Sequence, residues 1–185
     1  MDTRAMNAED LERAVEVMSE VLRPALDDDW SVPAGVLEWS CRETLAHIAH
    51  DLFAYAAQLA GRRLSRYLPQ DLVMRAEATT TDVLAAAEAS GALLTTTIRA
   101  ADPETRAWHY GPCDPCGFAA LGVAEILVHT HDITQGLGIP WHLPAELGAA
   151  ALRRLAPDAD PDLLRYTGRL GDVGEWHWHA ARPDQ

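Results

Sequence analysis

The chain has 185 residues, 48% of them apolar and 23% charged, a composition typical of one ordinary folded domain rather than two. Its 28 Asp and Glu residues outnumber 15 basic residues, all of them Arg, and the formal net charge is -13. Because nucleic acids and anionic membrane surfaces attract clustered positive charge, we expect neither as a partner.

The sequence also bears on the compartment. The N-terminus has no basic segment followed by an apolar core, so no signal peptide is expected. Three cysteines are too few for a disulfide framework. Both observations favour a reducing cytoplasm as the location of the protein.

Helical spacing of apolar residues dominates the chain. The second predicted helix begins at a Ser-x-x-Glu capping box, Ser40 with Glu43, and the fourth is followed by Gly138 and Pro140. The predicted helices span about 8–23, 40–61, 79–99, 117–136 and 144–155. Alternating β-branched runs are missing, so strands should be scarce.

Four main helices joined by one or two long connections predict an all-α protein, a four-helix bundle with a short extra helix and a C-terminal tail. We expect a single domain over residues 1–185, with the bundle at about 8–156 and the tail at 157–185. Residues 126–132 have an alternative interpretation as a buried strand that ends in His-x-His. A barrel of such strands needs more residues and further strands, which favours a helix.

The fourth predicted helix has polar side chains where a bundle helix is normally apolar. At 100° per residue, one narrow face holds Phe118, Gly122, Glu125, His129 and Asp132. A buried, unpaired carboxylate costs several kcal/mol, so Glu125 needs a compensating partner. A divalent metal is one such partner, because ligands at i and i+4 on a helix converge on a single ion.

The second predicted helix offers a third ligand. His47 lies in the middle of this amphipathic helix, one turn before Asp51, and His50 is the reserve candidate. A Glu-x-x-x-His pair alone is usually a surface pair or a satisfied hydrogen bond. Because His47 and His50 lie on a different predicted helix from Glu125 and His129, a metal site becomes an alternative to such a surface pair.

Two motifs resemble a known family. Residues 39–49 (WSCRETLAHIA) resemble the Trp…Leu-x-His-hydrophobic-Ala signature of DinB-like proteins, closest to the mycothiol-dependent maleylpyruvate isomerase N-terminal type. Residues 125–138 look like the Glu-x-x-x-His-x-x-Asp…Leu-Gly element of that group. Residues 164–169 and 176–178 are similar to its usual ending.

The resemblance implies a four-helix bundle that holds a divalent metal, usually zinc, with ligands at His47, Glu125 and His129. Asp132 matches an acidic position that orients a ligand from outside the coordination sphere. Two imidazoles and one carboxylate are also compatible with Fe²⁺ or Ni²⁺. Characterised members use a low-molecular-weight thiol, mycothiol or bacillithiol.

The expected function is therefore that of a metal-dependent enzyme that uses a mycothiol-like thiol for S-transfer to, or isomerisation of, a small electrophile. The expected partners are this small-molecule substrate and the thiol, and the protein should be a monomer or homodimer. Two alternatives stay open: a hydrolase or lyase that uses metal-bound water, and a non-catalytic metal-binding bundle.

Other residues have competing interpretations. Trp108 and Tyr110 either line the substrate pocket or cover the core, and Cys113-x-x-Cys116 is more simply two loop thiols than a redox pair. His131 should point away from the face of Glu125 and His129. Residues 176–179, Trp-His-Trp-His, look like an extended edge against the bundle.

Overall fold

The structure is a computed structural model and describes residues 5–171. Capping boxes mark the start of its first three helices. In each box, the side chain of the cap residue accepts a hydrogen bond from the backbone N–H three residues later, and the carboxylate of that later residue accepts one from the backbone N–H of the cap residue. The pairs are Asn7 with Asp10, Ser40 with Glu43, and Thr79 with Asp82. The helices that follow are α1 (Ala8–Leu22), α2 (Cys41–Gly61) and α3 (Thr80–Ala100).

The fourth helix, α4 (Pro115–Leu137), is capped at both ends. The side chain of Asp114 accepts a bond from the backbone of Gly117 at 2.6 Å, and Gly138 ends the helix with a positive φ of 68°. The other elements are a 3₁₀ turn (Arg23–Ala25), the two-residue strands β1 (Ala107–Trp108) and β2 (Pro112–Cys113), and the helices α5 (Ala145–Leu155) and α6 (Leu163–Tyr166).

Helix α4 lies at the centre of the fold, and 18 of its 23 residues are buried. Helices α1, α2 and α3 pack against it, α2 also packs along α3, and α5 covers another side of α4. The predicted all-α bundle is confirmed, with only the two-residue antiparallel pair as a sheet among the described residues. Within residues 5–171, no helix combines the length and apolar character needed to cross a membrane.

The predicted elements differ from the structure mainly at their ends. Helix α4 begins two residues earlier than predicted, because Pro115 is well suited to a first helical turn that Asp114 caps. Residues 126–132 are helical, as expected, and not a strand. Helix α6 was not predicted; it lies in the segment expected to be a tail and packs against α4 and α5.

Gly122 lies where three helices approach α4. A Cβ atom there would be 2.9 Å from Leu11 Cδ1, 3.0 Å from Leu94 Cδ2 and 3.2 Å from Leu52 Cδ2. These three leucines are fully buried, so they have little room to move. The absence of a side chain at position 122 therefore sets how closely α1, α2 and α3 approach α4.

Gly122→Ala is expected to lower the free energy of unfolding by about 1–3 kcal/mol, because the added methyl group overpacks the core. Urea denaturation followed by circular dichroism measures the change. Gly61→Ala is the matched control, since its Cβ would meet only the flexible end of Leu68, at 3.2 Å. Equal stability of the Gly122→Ala variant and the wild type would contradict this account of the core.

Candidate metal centre

Three of the predicted site residues come together between α2 and α4. One ligand atom from each of His47, Glu125 and His129 can be chosen such that all three lie within 4.8 Å of one another. Nε2 of His129 is 3.3 Å from Oε2 of Glu125, and the rings of His47 and His129 meet edge to face at 5.0 Å. Two imidazoles and a carboxylate at this spacing are a donor set that suits a divalent transition metal.

Asp132 supports this cluster from the next turn of α4. Its carboxylate is 1% exposed and accepts a hydrogen bond from Nδ1 of His129 at 3.0 Å, which leaves Nε2 of the same ring facing Glu125. Arg169 donates to Asp132 from both Nε (3.0 Å) and Nη2 (2.7 Å). Asp132 thus fixes the orientation of the His129 ring, and Arg169 holds the carboxylate in place.

The two histidines differ in protonation. Burial is the main reason why the pKa of His47 falls to about 4, and the proximity of His129 is the second. The imidazole of His47 is therefore neutral. Burial would also lower the pKa of His129, but hydrogen bonds to Asp132 and Glu125 outweigh it and raise the pKa to about 9. Without a metal, His129 is thus a cation that compensates Glu125, and a bound metal would displace its proton.

Asp51 and Tyr55 extend the cluster along α2. Oδ2 of Asp51 is 3.5 Å from Nε2 of His47, and the hydroxyl of Tyr55 lies 3.5 Å from both the Asp51 and the Glu125 carboxylates. Burial is the main reason why the pKa of Asp51 rises to about 7, and the negative charge of Glu125 is the second. Asp51 was not predicted to have a role in the site. The four-residue spacing of His47, Asp51 and Tyr55, which places them on one face of a helix, is the sequence signal that indicates it.

A cavity of about 470 Å³ opens beside Glu125. A loop that follows α2 forms one wall and contributes Tyr67, Leu68, Gln70 and Asp71. The buried amide of Gln58 holds this loop: it donates to the carbonyl oxygens of Arg63 and Arg66 and accepts from the backbone of Leu68. His50 also anchors the loop, because its Nδ1 accepts a hydrogen bond from Leu72 N at 3.2 Å.

Aromatic side chains around the β1–β2 turn complete the cavity. Tyr110 lines the cavity, and so does His109, which was not predicted to line a pocket. Trp108 is not among the lining residues but packs edge-on against Tyr67, with ring centroids 5.1 Å apart. Tyr110 is therefore part of the cavity wall, whereas Trp108 packs against a residue of that wall.

The remaining candidates lie outside the three-residue cluster. His50 lines the cavity, and His131 is half-buried on another side of α4. Cys113 is buried and Cys116 half-buried, and neither forms a disulfide. Burial raises the pKa of the Cys113 thiol to about 12, which makes it a poor nucleophile. The predicted edge at 176–179 lies outside the described residues.

Fold and site together define the class of protein: a helical bundle that gathers two imidazoles and a carboxylate from α2 and α4. The family model of the mycothiol maleylpyruvate isomerase N-terminal domain matches residues 11–134. The chain belongs to this family, which confirms the DinB-like membership predicted from its motifs. Searches of curated proteins and of solved structures each return no significant match.

Arg169→Met is expected to lower the free energy of unfolding by about 3–5 kcal/mol, because it removes one of the two cationic groups that donate to the buried Asp132 carboxylate. Urea denaturation measures this loss. Arg165→Met is the matched control, since the ion pair of Arg165 with Asp162 is solvent-exposed and contributes little. Equal stability of the two variants would show that Arg169 does not hold Asp132 in solution.

Proposed function

We propose that this protein is a divalent-metal-dependent enzyme that joins a low-molecular-weight thiol of the mycothiol type to a small electrophile, as an S-transferase or isomerase. One observation carries the proposal: the His47, Glu125 and His129 cluster lies at the edge of a cavity large enough for a small substrate. The chain belongs to a family whose description names mycothiol and an isomerase, and this membership supports a thiol as the co-substrate.

The proposed ligands are His47, Glu125 and His129, with Asp132 as the residue that orients His129. Neutral His47 presents a lone pair, and Asp132 fixes the tautomer of His129 such that Nε2 faces the other ligands. Zn²⁺ suits this donor set, as do Ni²⁺ and Fe²⁺. The bound ion would supply the positive charge that keeps a thiol in its thiolate form near neutral pH.

The reaction then needs a proton acceptor and a route for the proton. Asp51 lines the cavity with its carboxylate 3.5 Å from Nε2 of His47, a position from which it can accept the thiol proton. The thiolate sulfur forms a bond to one carbon of an activated double bond, and the proton returns to the neighbouring carbon to complete a transfer. In an isomerisation, rotation about the new single bond precedes cleavage of the carbon–sulfur bond and release of the thiol.

Metal analysis tests the proposed ligands. Untagged wild-type protein reconstituted with Zn²⁺ is expected to retain about one equivalent per chain in mass spectrometry of the metal, and His129→Ala less than about a tenth. His131→Ala is the matched control on the same helix and should retain the full amount. Wild-type protein that binds less than about a tenth of an equivalent after reconstitution with Zn²⁺, Ni²⁺ and Fe²⁺ in turn would refute a metal enzyme.

A thiol assay tests the reaction. Protein, mycothiol and a panel of activated alkenes, epoxides and alkyl halides are incubated, and conjugates or isomers are measured by mass spectrometry. Glu125→Gln should lower the thiol-dependent rate by about 100-fold or more, because it weakens the metal site. Turnover that needs no thiol would indicate water as the nucleophile, and a metal-loaded protein without turnover would indicate a binding protein.

A further inference from the structure

The cavity beside the cluster has a one-sided charge. Its described lining contains three carboxylates, Asp51, Asp71 and Glu125, and no arginine. The chain has no lysine at all. Among the described lining residues, histidines are thus the only basic side chains. An anionic ligand would find no arginine or lysine there with which to pair.

Two arginines of the neighbouring loop do not change this balance. Arg63 and Arg66 come just before Tyr67, which lines the cavity, but neither arginine is among the described lining residues. Their carbonyl oxygens accept hydrogen bonds from the Gln58 amide, which fixes the backbone of the loop from the side of α2. The loop therefore contributes an aromatic ring and Asp71 to the cavity, and no positive charge.

The walls add electron-rich aromatic faces to the carboxylates. Tyr55, Tyr67 and Tyr110 line the cavity, and the rings of Tyr67 and Tyr110 are 6.3 Å apart and nearly perpendicular. Such rings attract ammonium groups through their negative faces. The combination of aromatic faces with carboxylates is the chemistry by which proteins recognise organic cations.

His109 is a buried residue in the wall of this cavity, and one of its ring nitrogens is unpaired among the described residues. The residue is 4% exposed and lines the cavity, yet its Nδ1 atom is buried and has no hydrogen-bond partner among the described residues. Burial lowers the pKa of His109 to about 4, so the ring is neutral and adds no positive charge. A buried, unpaired ring nitrogen is costly unless a bound molecule or water completes it.

We propose that this cavity binds an organic cation: a small molecule whose ammonium group lies between Asp71 and the faces of Tyr67 and Tyr110, and whose reactive end faces the cluster. That this cation is the electrophilic substrate rests on the proposed function, whereas the charge preference rests on the cavity alone. A carboxylate substrate such as maleylpyruvate would meet Asp71 and find no arginine or lysine among the described lining residues.

Choline and 3,3-dimethylbutan-1-ol test the charge preference, because the two molecules share a shape and differ in charge. Isothermal titration of the full chain, metal-free and loaded with Zn²⁺, should show choline binding at least about 10-fold more tightly than the alcohol. The anion 3,3-dimethylbutanoate should bind more weakly than either. Equal binding of choline and the alcohol, or tighter binding of the anion, would overturn the inference.

Two variants locate the effect. Asp71→Asn should weaken choline binding and leave binding of the alcohol unchanged, and the fold should tolerate it because the Asp71 side chain is 80% exposed. Asp28→Asn is the matched control, since it removes the same charge from an exposed loop that does not line the cavity. An equal loss in both variants would mean general electrostatic attraction and would refute a specific site.

The same experiments separate this inference from the proposed function. If His129→Ala loses metal and still prefers choline, the two functions of the site are independent, as the inference requires. A protein that prefers choline but shows no thiol chemistry refutes the proposed function alone. Thiol-dependent turnover confined to anionic electrophiles refutes the cation inference alone.

Discussion

The site depends on how this protein accommodates a carboxylate near the C-terminal end of its most buried helix. Asp132 is almost fully enclosed, and it is stable there as an anion because Arg169 and His129 both donate to it. This chain of contacts does two things at once. It ties the segment after α6 to α4, and it turns the His129 ring so that Nε2 faces Glu125 and His47.

The position of α4 explains why its polar face is so sharply defined. Because other helices cover α4 on several sides, nearly every residue along it is buried, and a polar side chain there needs a specific partner. Glu125 and His129 meet each other and the α2 residues, whereas His131 lies toward a less covered side. The polar residues of this helix therefore mark the site rather than a solvated surface.

Much of this was predictable from local sequence. Capping boxes and the four-residue spacing of Glu125 and His129 are properties of a single helix, so the sequence indicates them directly. His47 was predicted from its place in an amphipathic helix and from a family motif. In that motif Trp39 proved to have a structural role: its ring packs against the His47 ring at 4.8 Å.

The missed features depend on contacts distant in sequence. Arg169 was predicted only as part of the C-terminal segment that resembles the family, because nothing in the neighbouring sequence indicates that its side chain reaches Asp132. The importance of Asp51 appears only when α2 is docked against α4, and that of Tyr67 only when its loop is folded back. Helix propensity and spacing do not specify which long-range partner a buried polar group selects.

The Gln58 amide gives the cavity wall a structural support that differs from that of the cluster. It secures the 63–68 loop by backbone atoms alone, so the side chains of that loop are free to vary while its path stays the same. The cluster residues, by contrast, are carried by helices whose packing constrains them. The loop side chains that line the cavity can therefore be exchanged without breaking the bonds that hold the loop, which gives protein engineers a defined set of positions to randomise.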